Sequence, residues 1–236
     1  MDRRTFVQRL LASAAALGLI GKPAMAAAPS VTKVIGVGGA GCQMLLAVRA
    51  RMPACPDSAV SEFLYVNSDW QTFAHIEQAC LDDPDRPAVR TLPIGSGMGS
   101  GGRPELGEDA AWESQEKLQA CLADAGRVIL LAGLGGSTGS GVTPILARWA
   151  REAGAQVVAV VVMPFSFESR RIQCAEVVLE RLMCEADAVV TYSNADLIER
   201  VGGGTRLNDA FDYQHRCIAD SVVGLLPEVL GPVHRT

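Results

Sequence analysis

Three glycine-rich segments, each following a short run rich in β-branched residues, constrain this chain more than any other feature. They are Gly36-Val37-Gly38-Gly39-Ala40-Gly41, Gly95-Ser96-Gly97-Met98-Gly99-Ser100-Gly101-Gly102 and Gly135-Gly136-Ser137-Thr138-Gly139-Ser140-Gly141. Glycine lets a backbone turn sharply and lets another group approach it closely. The runs Val128-Ile129-Leu130-Leu131 and Val157-Val158-Ala159-Val160-Val161-Val162 are apolar without alternation, the pattern of central strands buried on both faces. Strands are expected at 31–37, 62–67, 90–94, 127–131, 156–163 and 188–192. Helices are expected at about 42–52, 105–124, 142–153, 169–185 and 207–230. This alternation specifies an α/β fold: a Rossmann-like parallel sheet with helices on both faces, ending on a long C-terminal helix. The proline-bearing stretches 52–59 and 81–87 read as loops.

Each glycine segment has its own chemistry. The first matches G-x-G-x-x-G between a strand and a helix, where backbone amides can meet a pyrophosphate. A nicotinamide dinucleotide site would also want an acid closing the second strand, and Asp69 comes late, after Val66-Asn67-Ser68. The second segment runs into Arg103-Pro104-Glu105, so it delivers amides and Arg103 to a helix start, a place suited to an anion. In the third, successive amides and the Thr138 and Ser140 hydroxyls suit phosphate oxygens, although the G-K-[ST] ending of a P-loop is missing. All three follow strands of one parallel sheet and therefore converge on its carboxyl edge. A rival reading starts from Gly135-Gly136-Ser137-Thr138-Gly139, which also spells G-x-S-x-G. Ser137 would then be the nucleophile of a serine hydrolase, with Asp187 or Asp196 and His215 or His234 later in the chain.

Charge and composition remove other classes. With 21 basic against 26 acidic residues, a net charge of −5 and 5% aromatics, the chain offers neither a basic patch nor a stacking platform, so no nucleic-acid partner is expected. His75, His215 and His234 share no metal-ligand spacing with one another or with the cysteines, so no metal site is expected. The seven cysteines are odd in number and lack C-x-x-C spacing, which reads as buried free thiols. Residues 1–26 have signal-peptide grammar: Arg3-Arg4-Thr5-Phe6-Val7, an alanine-rich apolar stretch, Lys22, and Ala24-Met25-Ala26 as a cleavage site. The arginine pair resembles the twin-arginine export motif. The apolar stretch is too short to serve as a transmembrane anchor. Periplasmic location is the expectation and cytoplasmic the alternative. Losing this leader would take the net charge from −5 to −8.

In their order along the chain these residues resemble the nucleotide-binding domain of the FtsZ/tubulin family. The likeness covers about residues 32–230. It is carried by 34–41, Val66-Asn67-Ser68-Asp69, 99–107, 135–141, Pro164-Phe165-Ser166-Phe167-Glu168, Asn194 and Leu207-Asn208-Asp209-Ala210-Phe211. The resemblance implies GTP or GDP as ligand, with magnesium as a candidate companion. It implies phosphates against Gly38, Gly39, Ala40, Gly41 and Cys42, and against Gly135, Gly136, Ser137, Thr138, Gly139 and Ser140. Gly101, Gly102 and Arg103 would then lie near the γ-phosphate, Glu168 at the ribose, and Asn194 and Phe211 beside the guanine.

Five positions depart from the family pattern: Ser137 replaces a glycine, Arg103 an asparagine, Ile172 an arginine, with Arg170 and Arg171 close by, and His215-Arg216 an Asn-Asp pair that meets the guanine edge. Arg cannot accept a hydrogen bond. The organisation expected is a leader over 1–26, the nucleotide-binding domain over 31–230 and a tail over 231–236. The family's second domain, which brings catalytic acids to the next subunit, has no counterpart before Thr236. The expectation is therefore a GTP-binding protein with weak or no hydrolysis and no filament of its own, partnered with another FtsZ/tubulin-like protein. A degenerate interaction domain of the same fold is the alternative.

Overall fold

The apolar runs form a sheet because each can bury both of its faces, and the helices between them supply the cover. A computed structural model describes residues 31–52, 62–82, 89–99, 101–202 and 204–229. The leader over 1–26 and the tail over 231–236 lie outside the described residues, as do most of the two loop stretches and Ser100. Six strands run β1 (Val31–Val37), β2 (Glu62–Asn67), β3 (Val89–Pro93), β4 (Ala125–Gly133), β5 (Gln156–Met163) and β6 (Ala188–Ser193). All adjacent pairs are parallel, in the order β3-β2-β1-β4-β5-β6. The order reverses between β1 and β4, and open α/β sheets present their ligand crevice beside such a reversal, at the strands' carboxyl ends.

Eight described helices cover the sheet: α1 (Gly38–Arg51), α2 (Gln71–Leu81), α3 (Pro104–Glu113), α4 (Gln115–Leu122), α5 (Ser137–Glu152), α6 (Ser169–Glu185), α7 (Asn194–Val201) and α8 (Leu207–Val229). Ile35 and Val37 of β1, with Val128 and Leu130 of β4 and Val157 and Val161 of β5, pack under Leu118, Leu146 and Leu182 of α4, α5 and α6. The opposite face is closed by Met44, Leu45 and Val48 of α1 and by Ile218, Ala219 and Val222 of α8, all fully or almost fully buried. Where α3 crosses α5, a Cβ on Gly141 would stand 2.2 Å from the Pro104 carbonyl oxygen. Only glycine permits that approach.

The expected strands are present, with shifts of one or two residues at β3, β4 and β6. The helices differ more. The stretch expected as one helix over 105–124 is two, separated at Ser114. Two short helices, α2 and α7, were not expected. Helix α2 buries only Phe73 and Ile76, too few positions for a visible period. Helix α7 did carry a signal: Ser193 is its N-cap, and the Ser193 Oγ accepts from the Ala195 and Asp196 amides. Helices α1 and α5 start four or five residues earlier than expected, so the first and third glycine segments form helical first turns rather than separate loops. No described helix is long and apolar enough to cross a membrane.

Candidate functional site

At the carboxyl ends of β1 and β4 the first turns of α1 and α5 lie side by side. A Cβ on Gly38, whose φ is +71°, would come within 3.0 Å of the Gly139 amide nitrogen, so the two glycine segments touch. Neither helix has a side-chain hydrogen bond at its N-cap, and neither has an acidic residue in its first turn. Their leading amides therefore point outward without a side-chain acceptor, and the helix dipoles place positive potential there. The third segment is braced from behind. The Ser140 Oγ accepts from the Gly135 amide at 2.8 Å, Thr143 Oγ1 donates to the Gly139 carbonyl at 2.6 Å, and Ser68 Oγ meets Thr138 Oγ1 at 2.7 Å.

The second segment is held against the turn that follows β2. Trp70 donates its backbone amide to the Gly97 carbonyl, the Gly99 amide donates to the Ser68 carbonyl, and Asp69 and Met98 form an antiparallel bridge. Together the three segments bound a crevice of about 950 Å³. Its far end is aromatic. Phe165 and Phe167 stack at 5.1 Å, Phe165 meets Phe211 at 6.1 Å, and Phe211 lies nearly parallel to His215 at 6.4 Å. Burial holds the His215 imidazole below its ordinary value and so disfavours its charged form, outweighing an opposing pull from Asp212. Between the ends sits Glu168, whose Oε2 accepts from the Phe165 amide at 3.1 Å and whose Oε1 accepts from Arg171 at 2.7 Å.

Gly38, Gly39, Ala40, Gly101, Gly102, Gly136, Ser137, Thr138, Gly139, Glu168, Asn194 and Phe211 all line this crevice. Five other residues singled out in the sequence are not on its wall. A Cβ on Gly41 would stand 2.1 Å from the Leu131 carbonyl, so this glycine lets α1 lie against β4. Cys42 is wholly buried; its Sγ donates to the Gly36 carbonyl at 3.6 Å, and burial pushes the thiol up to about 12. Gly135 and Ser140 form the brace described above. Arg103 is exposed at the N-cap of α3. The wall also includes residues outside the expected set, among them Ser68, Phe165, Arg171, Gln214 and His215. Of the two arginines beside Ile172, it is Arg171 that reaches the wall. Gln214 and His215 lie three and four residues beyond Phe211, on the same helical face.

The chemistry of the crevice is that of an anion cradle with an aromatic slot. A Cβ on Gly39, Gly101, Gly102 or Gly136 would meet nothing within 4 Å, so backbone rather than side chain faces the open space. Among the described residues no group of three or more His, Cys, Asp or Glu side chains could hold a metal ion. A magnesium ion would fit there only as a companion held largely by phosphate and water. Asp69 and Thr72 are among the oxygen-bearing side chains on the second-segment side of the wall, with Asn67 and Ser68. No hydrogen bond links Ser137 to an imidazole among the described residues, and His234 lies outside them. The hydrolase reading thus gains no geometric support.

Residues 31–202 match the model of the tubulin/FtsZ family, GTPase domain. The chain is 31% identical over 211 residues to the cell division protein FtsZ of Neisseria gonorrhoeae, covering 88% of this chain and 50% of that protein. It is similar to the empty FtsZ dimer of M. jannaschii, with a TM-score of 0.73 and 27% identity over 100% of this chain and 62% of that one. It is also similar to CetZ2 from Haloferax volcanii in a GTPγS-bound protofilament, with a TM-score of 0.71 and 27% identity, covering 87% of this chain and 60% of that one. The chain spans about half the length of the curated relatives it matches.

Proposed function

This chain belongs to the tubulin/FtsZ family, as a GTPase domain, and from that premise we propose that its crevice binds GTP or GDP. The observation that carries the reading is the pair of adjacent helix starts, α1 and α5, whose leading amides have no side-chain caps and face a crevice of nucleotide size. In the proposed complex the phosphates lie on Gly38, Gly39, Ala40 and 136–139, with Gly101 and Gly102 closing over the outermost phosphate. Glu168 turns from Arg171 to accept from the ribose hydroxyls, and Phe211 covers one face of the base. Magnesium would be held largely by phosphate and water on the Asp69 and Thr72 side of the wall, and would supply positive charge against the phosphates.

Hydrolysis by the chain alone is proposed to be slow. Among the described residues the carboxylates on the crevice wall are Asp69 and Glu168; Asp69 Oδ1 already accepts from the Gln71 amide, and Glu168 is engaged on both oxygens. The dimer and the protofilament of the two solved structures support another FtsZ/tubulin-like protein as partner. Phosphate release measured with and without such a partner checks this, and a fast rate from the isolated chain would contradict it. The twin-arginine leader motivates a second proposal, that the folded chain is exported to the periplasm. Replacing Arg3 and Arg4 by lysine is expected to leave the protein in the cytoplasmic fraction, and unchanged fractionation would remove the export reading.

Gly136→Asp separates binding from folding. Gly136 is the N-cap of α5, with φ −94° and ψ 172°, a conformation open to any residue, and its Cβ would meet no neighbour. Asp is a favoured N-cap, so the variant should melt at or slightly above the parent temperature. Its carboxylate would occupy the amides meant for phosphate. The rise in melting temperature produced by millimolar GTP is expected to disappear; a variant that keeps the full rise would place the ligand elsewhere.

A further inference from the structure

The aromatic end of the crevice presents donors and acceptors in an arrangement that bears on which base it can read. Gln214 Nε2 donates to Asn194 Oδ1 at 3.1 Å, and Gln214 is almost completely buried. One amide of this pair must donate and the other accept, whichever way each is turned, so the pair shows the crevice both a donor and an acceptor. Beside it stands His215, stacked along Phe211, whose uncharged form, favoured by burial, likewise carries one donor and one acceptor.

No carboxylate joins them. Of the two acids on the described wall, Asp69 is tied to the second glycine segment through its bridge with Met98, and Glu168 is held by Phe165 and Arg171. Asp212 acts on His215 through its charge but does not line the crevice. Arg216, which also stands off the wall, is exposed and donates its Nε to the Asp212 carbonyl.

Guanine and adenine differ in what this set can meet. The Watson–Crick edge of guanine carries two adjacent donors, the ring N–H and the 2-amino group, and a carboxylate satisfies both at once. Adenine offers one donor beside one acceptor, which a side-chain amide matches in the way Asn and Gln read adenine elsewhere. Resting on the nucleotide-site reading above, we propose that the amide and imidazole groups of Asn194, Gln214 and His215 read a purine without selecting guanine over adenine. The 2-amino group of guanine then goes unread.

The experiment titrates the full chain with GTP, ITP and ATP in the presence of magnesium, following heat of binding. ITP is GTP without the 2-amino group. A matched bidentate contact is worth roughly one to two orders of magnitude in discrimination. The expected result is equal affinity for GTP and ITP within about twofold, and ATP within about tenfold of both. GTP binding more than about tenfold tighter than ATP, or than ITP, would overturn the proposal while leaving the nucleotide site in place. If none of the three binds at millimolar concentration, the nucleotide-site reading falls and this proposal with it. His215→Asp supplies a second arm that starts from the same folded parent. Adding a carboxylate at that wall is expected to raise the GTP-to-ATP affinity ratio by about tenfold, and an unchanged ratio would remove His215 from the base end.

Discussion

At the scale of single residues, the glycine segments contain two kinds of glycine that a sequence cannot tell apart. Gly39 and Gly136 face open space, whereas Gly41 and Gly141 face carbonyl oxygens 2.1 and 2.2 Å from where a Cβ would sit. The first kind leaves the crevice wall bare and the second serves packing. The family resemblance therefore carried over Gly41, Cys42, Gly135 and Ser140 along with the wall residues, because all belong to the same short runs. Conversely, Gln214 became visible only once α8 was wound and it fell beside Phe211, next to the His215 that the resemblance had already placed at the guanine edge.

Cysteine exposure gives a test at this scale. All six described cysteines are free thiols; Cys42 is buried with its thiol pushed up to about 12, while Cys184 is exposed near the end of α6. Brief treatment of the native protein with iodoacetamide at pH 8 should modify Cys184 and leave Cys42 intact, and both should react after unfolding. Early modification of Cys42 in the native protein would mean that the α1 packing is wrong.

At the scale of elements, a charged knot fixes the amino ends of β1, β2 and β4, opposite the crevice. Lys33 of β1 reaches Asp124 at 2.5 Å, Glu62 at 3.0 Å and the Cys121 carbonyl at 2.7 Å, with its own side chain 4% exposed. Burial pulls the Lys33 ammonium down, yet the hydrogen bonds and charges of Asp124 and Glu62 outweigh it and hold the group above the ordinary lysine value. Asp124 is held below the ordinary carboxylate value by the Lys33 hydrogen bond.

The signs set a pH window. A depressed carboxylate contributes stability above its unfolded value, near 3.9, that is lost as pH falls through the lower folded value; a raised lysine contributes below about 10.4 and loses it as pH rises further. Asp124→Asn should therefore melt below the parent protein at pH 7, and the gap should close as pH falls below about 4. A gap that persists unchanged at low pH would show that charge at Asp124 is not what holds the knot. The strands around this knot were legible because continuous apolar runs can only be buried twice over. The two short helices were not legible from periodicity, since neither α2 nor α7 repeats its apolar face for long enough to declare a period, and only the Ser193 cap marked the start of α7.

At the scale of the whole molecule, the parallel order β3-β2-β1-β4-β5-β6 places its reversal between the two strands whose loops carry the outward amides. Fold and site are therefore one statement: the switch in strand order creates the gap, and glycine lets two helix starts share it. The fold class was readable from strand and helix alternation, and the meeting of the three segments followed from their places after parallel strands. The division of labour inside the crevice was not readable, because it depends on which backbone groups point outward and which side chains, such as Arg171, reach in from neighbouring turns.

The most direct test is to purify the full chain without added nucleotide, denature it, and identify any released base by chromatography, with melting curves at millimolar GTP and GDP alongside. Ligand at a hundredfold excess over its dissociation constant stabilises a protein by about 2.7 kcal/mol, which for a chain of this size is a shift of about 5–10 °C. Released guanine or adenine nucleotide approaching one per chain, or a melting shift of that size, is the expected result. An empty protein whose melting temperature does not respond to millimolar nucleotide would contradict the account.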